Sequence, residues 1–215
     1  MIKGLHPLIL IIIITNILVS IKGFKDIYFF EKYKFNILAI KSNQWIRYLS
    51  SGFLHVDYNH LFLNMLSLYF FGDVVLYSIG ITNFIFLYIG SLFLGNLFAF
   101  YFHQNHNNYS AVGASGAVIG IIFSAILLQP EMKLMFIFFP IPLPGYVFGL
   151  GYLIYTLFGM KNQNDSIGHT AHFGGAIGGV ILTILFAPKI LITSLYTLLL
   201  IFTTIVICGL IIFKK

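Results

Sequence analysis

Charged residues are scarce in this chain of 215 residues. Only 8% of its residues are charged, and six are acidic, whereas soluble globular domains are about 25% charged. Hydrophobic residues make up 59% of the chain, and so few charged groups cannot cover them with a water-facing surface. The composition therefore excludes an ordinary soluble domain and predicts an integral membrane protein.

Cysteine is nearly absent, since the chain contains one, Cys208, inside an apolar segment. A single cysteine allows no disulfide within the chain and no metal site built from cysteines. The net charge of +6 comes from basic residues scattered around the hydrophobic segments, and not from the clustered basic patch of a nucleic-acid-binding protein. We therefore expect no nucleic-acid partner.

Seven hydrophobic segments approach the roughly 20 residues that a membrane-spanning helix needs. They are residues 5–21, 53–71, 81–102, 111–129, 145–160, 170–187 and 190–213. The first resembles a signal peptide, because Lys3 precedes a short apolar run, but no small-residue cleavage site follows, so we interpret it as a retained anchor. Residues 130–144, which contain Pro140, Pro142 and Pro144, are interpreted as a connecting loop, because proline favours extended or turned backbone.

The longest connection, residues 22–52, mixes charged residues with aromatic ones. Such a mixture is typical of a segment that lies in the membrane interface. It suits a solvated loop with incidental aromatic residues equally well, so the pattern leaves both interpretations open.

Polar residues interrupt the hydrophobic segments in three places. They are Gly113-Ala114-Ser115-Gly116, Ala171-His172-Phe173-Gly174-Gly175, and His60 with Asn64. A polar group buried in a bilayer without a partner costs several kcal/mol, so ionisable residues in such segments are functional candidates. With seven spans, the second, fourth and sixth enter the membrane from the same side. The three polar groups are therefore expected at similar depth near one face.

Their chemistry suits a nucleophilic hydrolase. A serine hydroxyl is a weak nucleophile that needs an adjacent base, and His172 is the natural base for Ser115 because imidazole titrates near neutral pH. Spans four and six contain no acidic residue, which favours a Ser-His dyad over a triad. Gly113 and Gly116 are expected to leave space beside the serine for a substrate backbone.

Three further features fit a nucleophilic hydrolase. His60 and Asn64 are four residues apart, so they share a helix face, and both can donate hydrogen bonds to an oxyanion. The start of span four also points backbone N–H groups and a positive dipole end towards that anion. The glycines at 174, 175, 178 and 179 form small-xxx-small patterns that let span six approach a neighbour closely.

Each element has a simpler explanation when it stands alone. A Gly-x-Ser-Gly stretch in a membrane helix is more often a packing face, and one buried histidine is more often a hydrogen-bonded structural residue. Asn64 alone would be a hydrogen-bonding contact between helices. The combination in one compatible topology is what points to catalysis.

These residues resemble the rhomboid family of intramembrane serine proteases over nearly the whole chain. The matching pieces are Gly113-Ala114-Ser115-Gly116, Ala171-His172-Phe173-Gly174, the stretch from His55 to Asn64, Trp45-Ile46-Arg47 and the proline-rich stretch from Pro140 to Pro144. The resemblance implies an all-α polytopic membrane protein with seven spans. Its single domain, 1–215, would have a rhomboid-like six-helix core at about 5–187 and an extra C-terminal transmembrane helix at about 190–213.

The resemblance also implies roles for individual residues. Ser115 would be the nucleophile and His172 the general base, while His60, Asn64 and the Ser115 backbone N–H would form the oxyanion hole. The substrates would be single-pass transmembrane proteins, cleaved after a small residue in or near the membrane segment. Span five and residues 161–168 would be the gate and the cap. No metal or cofactor is implied.

Two features depart from the family pattern. Many relatives carry an aromatic residue four positions after the serine, where it stacks on the catalytic imidazole, and here that position is Ile119. The family likeness puts the protein in the plasma (inner) membrane with the active site facing outwards, but most Lys and Arg residues lie on the active-site side, which favours the reverse orientation. We follow the family likeness. An accessibility map of residues 105–108 distinguishes the two.

Two other functions stay open from the sequence. One is a non-catalytic rhomboid-like protein that binds and remodels transmembrane clients, although such relatives typically lack the serine or the histidine. The other is a metal or proton transporter that uses His169 and His172, which are three residues apart. A zinc protease is disfavoured because the sequence contains no His-Glu-x-x-His motif.

Overall fold

The computed structural model describes residues 4–136, 139–162 and 167–214, and within them the chain forms eleven α-helices and two small two-stranded sheets. In chain order they are α1 (Pro7–Lys25), α2 (Ile27–Tyr33), β1 (Phe35–Asn36), α3 (Ile37–Lys41), α4 (Arg47–Ser50), a 3-10 turn (Ser51–Phe53), α5 (Tyr58–Ile79), α6 (Ile81–His103), β2 (Ser110–Ala111), α7 (Ser115–Leu128), β3 (Lys133–Phe136), β4 (Phe139–Pro144), α8 (Gly145–Asn162), α9 (His169–Phe186), α10 (Ile190–Thr193) and α11 (Leu195–Phe213).

Each of the seven predicted hydrophobic segments overlaps one of the long helices, namely α1, α5, α6, α7, α8, α9 and α11. The bounds of the second segment are wrong, because α5 covers Tyr58–Ile79 and not 53–71. Five of them, α1, α5, α6, α9 and α11, are long and apolar enough to cross a membrane. Helix α7 has only 14 residues and rises about 21 Å, less than the roughly 30 Å of a bilayer core. The predicted all-helical, polytopic membrane fold is confirmed.

Helix α7 is the centre of the molecule. All residues from Gly116 to Leu127 are buried, because α5, α6, α8 and α9 pack around the helix. An apolar helix enclosed in this way has no polar face, which explains why its sequence is hydrophobic on every side. Ser115, the first residue of this enclosed helix, is half-buried.

The glycines of α9 bring this helix against two neighbours at once. A Cβ at Gly174 would lie 2.5 Å from the Cβ of Phe98 on α6, so this face touches α6. On the adjacent face, a Cβ at Gly179 would lie 2.5 Å from the carbonyl oxygen of Gly120 on α7. The predicted small-residue packing is confirmed, and it places α9 between α6 and α7.

Residues 22–52 form a folded substructure and not a solvated loop. Strand β1 pairs antiparallel with β2, which directly precedes the Ser115 turn. Arg47 is buried and donates from Nη1 to the carbonyl oxygens of Glu31 and Lys34 at 2.9 and 2.7 Å. Burial lowers the pKa of the Arg47 guanidinium, and the Glu31 carboxylate opposes that shift. Arg47 therefore ties the end of α2 to the rest of this substructure.

Two other predictions about secondary structure are wrong. Residues 130–144 were expected as a loop, but β3 and β4 form an antiparallel hairpin in which Lys133 pairs with Pro144 and Leu134 with Leu143. The prolines of β4 lie two residues apart, so their missing N–H groups share one edge of the strand, where proline is tolerated.

The segment 190–213 was expected as one helix. It is divided at Ser194 into α10 and α11, and the Ser194 hydroxyl donates to the Leu127 carbonyl oxygen at 2.7 Å. This bond fastens the break to the end of α7. Helix α11 then packs along α8.

Candidate active site

A cavity of about 790 Å³ opens between α5, α7, α8 and α9. Ser115, His172, His60 and Asn64 all line it. The structure thus brings the four residues singled out in the sequence to one place. Tyr109, Ser110, Ile167 and Gly168 line the same cavity, so the segments that lead into α7 and α9 also border it.

The turn before α7 presents the Ser115 side chain. Gly113 has a φ of +131°, a conformation that L side chains rarely adopt, and its N–H donates to the Ser51 carbonyl oxygen at 3.0 Å. A Cβ at Gly113 would lie 2.6 Å from Cε1 of His60 and 3.5 Å from Oγ of Ser115. Glycine is therefore required here for the backbone angle and for the close approach of His60.

Ser115 and His172 are in direct contact. The distance between Oγ of Ser115, the first residue of α7, and Nε2 of His172, in the first turn of α9, is 2.7 Å. On the other side of the imidazole, Nδ1 lies 2.9 Å from the hydroxyl of Tyr152 on α8. The His172 side chain is 9% exposed, so the contact lies at the inner wall of the cavity. The distance between Oγ and Nε2 is one across which a proton can be transferred.

His60 and Asn64 lie one turn apart on α5, facing the same cavity. Asn64 donates from Nδ2 to the His60 carbonyl oxygen at 3.0 Å. Because an amide carries two N–H donors, this bond leaves the group able to donate once more. Asp57 caps the helix by accepting from the His60 N–H at 2.7 Å. Their oxyanion role stays a prediction, and their positions suit it.

His55 stands behind this arrangement as a structural support. Its ring meets the ring of His60 edge-on, with centroids 4.9 Å apart, and Nε2 accepts from the Ala114 N–H at 3.4 Å. Nδ1 lies 2.8 Å from Oγ of Ser20, which donates to the Phe53 carbonyl oxygen at 3.0 Å.

The protonation state of His55 follows from this burial. Burial, assisted by His60 and opposed by the carboxylate of Asp57, lowers the pKa of His55 to about 3. The ring is therefore neutral at physiological pH, with one acceptor for Ala114 and one N–H for Ser20. The sequence placed His55 in the resembling stretch but gave it no role.

The prediction that Gly116 leaves space for a substrate is wrong, because Gly116 is not among the residues that line the cavity. A Cβ there would approach the Ala171 carbonyl oxygen at 3.5 Å and the Cα of Leu92 at 3.8 Å, so this glycine serves the packing of α7 against α9 and α6. Ile119 does line the cavity.

Tyr152 was missed in the sequence. The available signal was a hydroxyl inside an apolar span, the same signal that identified Ser115. Span five, however, contains Tyr146, Tyr152 and Tyr155, and only the packing of α8 shows which one meets the imidazole.

In the histidine pair considered for a transporter, both ring nitrogens of His172 already contact other side chains, those of Ser115 and Tyr152. The ring centroids of His169 and His172 are 6.2 Å apart, and His169 packs edge-on against Tyr155. Among the described residues, no three His, Cys, Asp or Glu side chains are grouped closely enough to hold a metal ion. Of the expected cap, residues 163–166 lie outside the described part of the chain.

Comparison with known proteins gives consistent matches. A family model described as the rhomboid domain matches residues 42–189. This range includes Ser115, His172, His60 and Asn64. Rhomboid protein 1, mitochondrial, from Saccharomyces cerevisiae is 31% identical over 139 residues, or 63% of this chain and 40% of that protein. RHOMBOID-like protein 12, mitochondrial, from Arabidopsis thaliana is 26% identical over 182 residues, or 78% of this chain and 54% of that protein.

A bacterial protein matches over a larger share of its own length. Putative rhomboid protease YdcA from Bacillus subtilis is 27% identical over 154 residues, or 71% of this chain and 72% of that protein. The chain thus spans about half or less of the yeast and plant proteins, whose names state a family and a compartment. The bacterial name also states an activity.

Proposed function

This chain belongs to the rhomboid family, and on that premise we propose that it is an intramembrane serine protease. It hydrolyses a peptide bond in or near the transmembrane segment of single-pass membrane proteins. The observation that carries the proposal is the 2.7 Å contact between Oγ of Ser115 and Nε2 of His172 inside a cavity within the helix bundle. The dyad needs no metal or cofactor.

The reaction follows from the atoms in contact. His172 accepts the Ser115 hydroxyl proton at Nε2 while Oγ attacks the scissile carbonyl carbon, which forms a tetrahedral oxyanion. The His60 ring, the Asn64 amide and the Ser115 backbone N–H stabilise that anion. The imidazolium then returns its proton to the leaving amine, and an acyl-enzyme remains. A water molecule, deprotonated by His172, releases the acid and restores the serine.

The lining of the cavity supports a transmembrane substrate. Leu63, Val118, Ile119 and Ile122 give it an apolar wall that suits hydrophobic side chains near the scissile bond. Asn59, which is exposed, lies at the polar part of the same lining. Hydrolysis needs water as well as substrate, and a lining with both characters accommodates the two.

The test is cleavage in liposomes that contain the purified protein and a single-pass substrate with a small residue near the membrane surface. Ser115→Ala and His172→Ala should each abolish cleavage while helix content and thermal unfolding stay unchanged. Ser67→Ala is the matched control, because Ser67 lines the same cavity on α5 and has no role in the reaction. Full cleavage by Ser115→Ala would overturn the proposal.

A fluorophosphonate probe separates the proposal from the client-binding alternative. Such a probe labels an activated serine without any need for the right substrate. Labelling that Ser115→Ala removes would exclude a purely client-binding protein. Client binding without any labelling would favour it.

The five apolar helices make the chain an integral membrane protein, and its orientation is a further part of the proposal. We place the active site on the outward face, as the family likeness implies. The expectation of the plasma membrane gains no support from the relatives, because several of their names place them in mitochondria or chloroplasts. Labelling of single cysteines at residues 105–108 from each side of the membrane tests the orientation.

A further inference from the structure

We propose that Tyr152 is the positioning residue of the dyad: its hydroxyl accepts the Nδ1–H of His172 and so keeps Nε2 free to take the serine proton. This inference rests on the proposed function. It assigns a task to a side chain on α8, a helix that supplies neither the nucleophile nor the base.

The two ring nitrogens of His172 are held from opposite sides. Ser115 Oγ lies 2.7 Å from Nε2, and the Tyr152 hydroxyl lies 2.9 Å from Nδ1. The centroids of the tyrosine and histidine rings are 6.2 Å apart at an angle of 33°, so the contact is made by the hydroxyl and not by face-to-face stacking. Rotation of the imidazole would break both bonds at once.

The chemistry of imidazole then gives the hydroxyl its task. A neutral imidazole carries one N–H and one lone pair. Ser115 can pass its proton to Nε2 only when the lone pair is there, which requires the ring proton to be on Nδ1. A Tyr152 oxygen that accepts from Nδ1 stabilises this tautomer. The hydrogen bond between Nδ1 and the Tyr152 oxygen becomes stronger when His172 becomes the imidazolium during attack.

An uncharged hydrogen-bond acceptor such as the Tyr152 hydroxyl suits the apolar environment between α7, α8 and α9. Helices α7, α8 and α9 contain no acidic residue, and a carboxylate buried between apolar helices would carry a large desolvation cost. A tyrosine hydroxyl supplies the lone pair without a buried charge. The titratable groups near this contact include Tyr155, whose ring lies 6.3 Å from that of Tyr152, His169, and His60, which lines the same cavity.

Tyr152 is itself held in place by aromatic contacts. Its ring stacks on Phe148, one turn earlier on α8, with centroids 6.3 Å apart and an angle of 9°. On α7, Phe123 meets it edge-on at 6.4 Å. One of these contacts comes from α7, the helix that carries Ser115. The position of the Tyr152 hydroxyl is therefore fixed relative to Ser115 as well as to His172.

The experiment compares Tyr152→Phe with Tyr155→Phe, which removes a hydroxyl from the same helix without touching the His172 contact described here. In the liposome assay, Tyr152→Phe should lower kcat about tenfold to a hundredfold, the effect of losing one hydrogen bond that acts in the transition state. KM and thermal unfolding should not change. The rate of fluorophosphonate labelling of Ser115 should fall by a similar factor, and Tyr155→Phe should keep wild-type values.

A spectroscopic measurement reports the tautomer directly. In protein labelled with ¹⁵N-histidine, the signals that His172→Ala removes belong to His172. They should show the proton on Nδ1 in the wild type and a mixture of both tautomers in Tyr152→Phe. A proton on Nε2 in the resting wild type would overturn the inference whether or not the variant folds.

The remaining outcomes separate this inference from the proposed function. Wild-type kcat and labelling in Tyr152→Phe, with Ser115→Ala inactive, would reject the role of Tyr152 and leave the protease intact. Full activity in Ser115→Ala would reject both.

Discussion

Gly175 of α9 lies so close to Gly116 of α7 that a Cβ at position 175 would overlap the Gly116 carbonyl oxygen. Gly116 is the neighbour of Ser115, and Gly175 follows His172 by three residues, about one turn of helix. The contact between these two glycines therefore limits how closely the turn that carries Ser115 approaches the turn that carries His172. The packing of α7 against α9 therefore also determines the geometry of the candidate site.

Gly175→Ala should separate α7 from α9 and lower the cleavage rate by at least about a hundredfold, because the Ser-His distance tolerates little change. The overpacked contact should also cost about 1–3 kcal/mol of unfolding free energy. Gly209→Ala on α11 is the control, since a Cβ there meets nothing within 4 Å, and it should keep activity and stability. Chemical unfolding in micelles and the liposome assay measure the two effects. An active Gly175→Ala variant would show that another contact sets the distance.

The helices could be predicted because their signal is local. A run of apolar residues of the right length implies a buried or membrane-spanning helix wherever it lies, so all seven long helices were located. The glycines of α9 were also readable, since their spacing of four residues defines helix faces. The parity of the spans then predicted that Ser115 and His172 approach one face.

The features that could not be predicted depend on contacts between residues far apart in the sequence, which residue spacing does not reveal. Tyr152 meets His172 only because α8 packs at a particular rotation, and three tyrosines of that span were indistinguishable beforehand. The break at Ser194 coincides with a hydrogen bond from its hydroxyl to Leu127, 67 residues earlier. The β3–β4 hairpin is not predicted because a cluster of prolines favours a loop, although an edge strand also accepts proline.

Gly113→Ala should impair catalysis more than folding. Alanine at a φ of +131° is strained, and its Cβ would push into the ring of His60, so we expect at least a tenfold loss of kcat, about the effect of displacing one oxyanion donor. Gly80→Ala is the control for backbone strain alone. Gly80 also has a positive φ, +82°, but nothing lies within 4 Å of its Cβ position. Gly80→Ala should lose roughly 1–3 kcal/mol of stability through backbone strain and keep its activity. Gly113→Ala should lose at least as much stability, because it adds the contact with His60, and it should also lose activity.

Asn64→Ala should lower kcat about a hundredfold to a thousandfold with little change in KM, because an oxyanion donor acts mainly in the transition state. Asn59→Ala is the matched control, since Asn59 lines the same cavity on the first turn of α5 and is exposed. The double variant His60→Ala/Asn64→Ala should lose less than the product of the single losses, because both donors would serve one anion. Wild-type kcat in Asn64→Ala would remove this residue from the oxyanion hole.

His55 should make the fold sensitive to mild acid. Its pKa is lowered to about 3 by burial and by His60, with Asp57 opposing, whereas a histidine in the unfolded chain titrates near 6.5. Between about pH 6.5 and pH 3, His55 therefore binds a proton in the unfolded chain but not in the folded one. The stabilising contribution is complete above pH 6.5 and is lost progressively as the pH falls towards 3.

Linkage makes this loss about 2 kcal/mol of unfolding free energy at pH 5. Chemical unfolding in micelles at pH 7.5 and 5.0 measures it. His55→Gln, which cannot titrate, should start less stable at pH 7.5 and lose about 2 kcal/mol less than the wild type between the two values. His106→Gln, a change in an exposed connector, should follow the wild type. Equal losses in the wild type and in His55→Gln would mean that the neutral ring between Ser20 and Ala114 is not what acid disrupts.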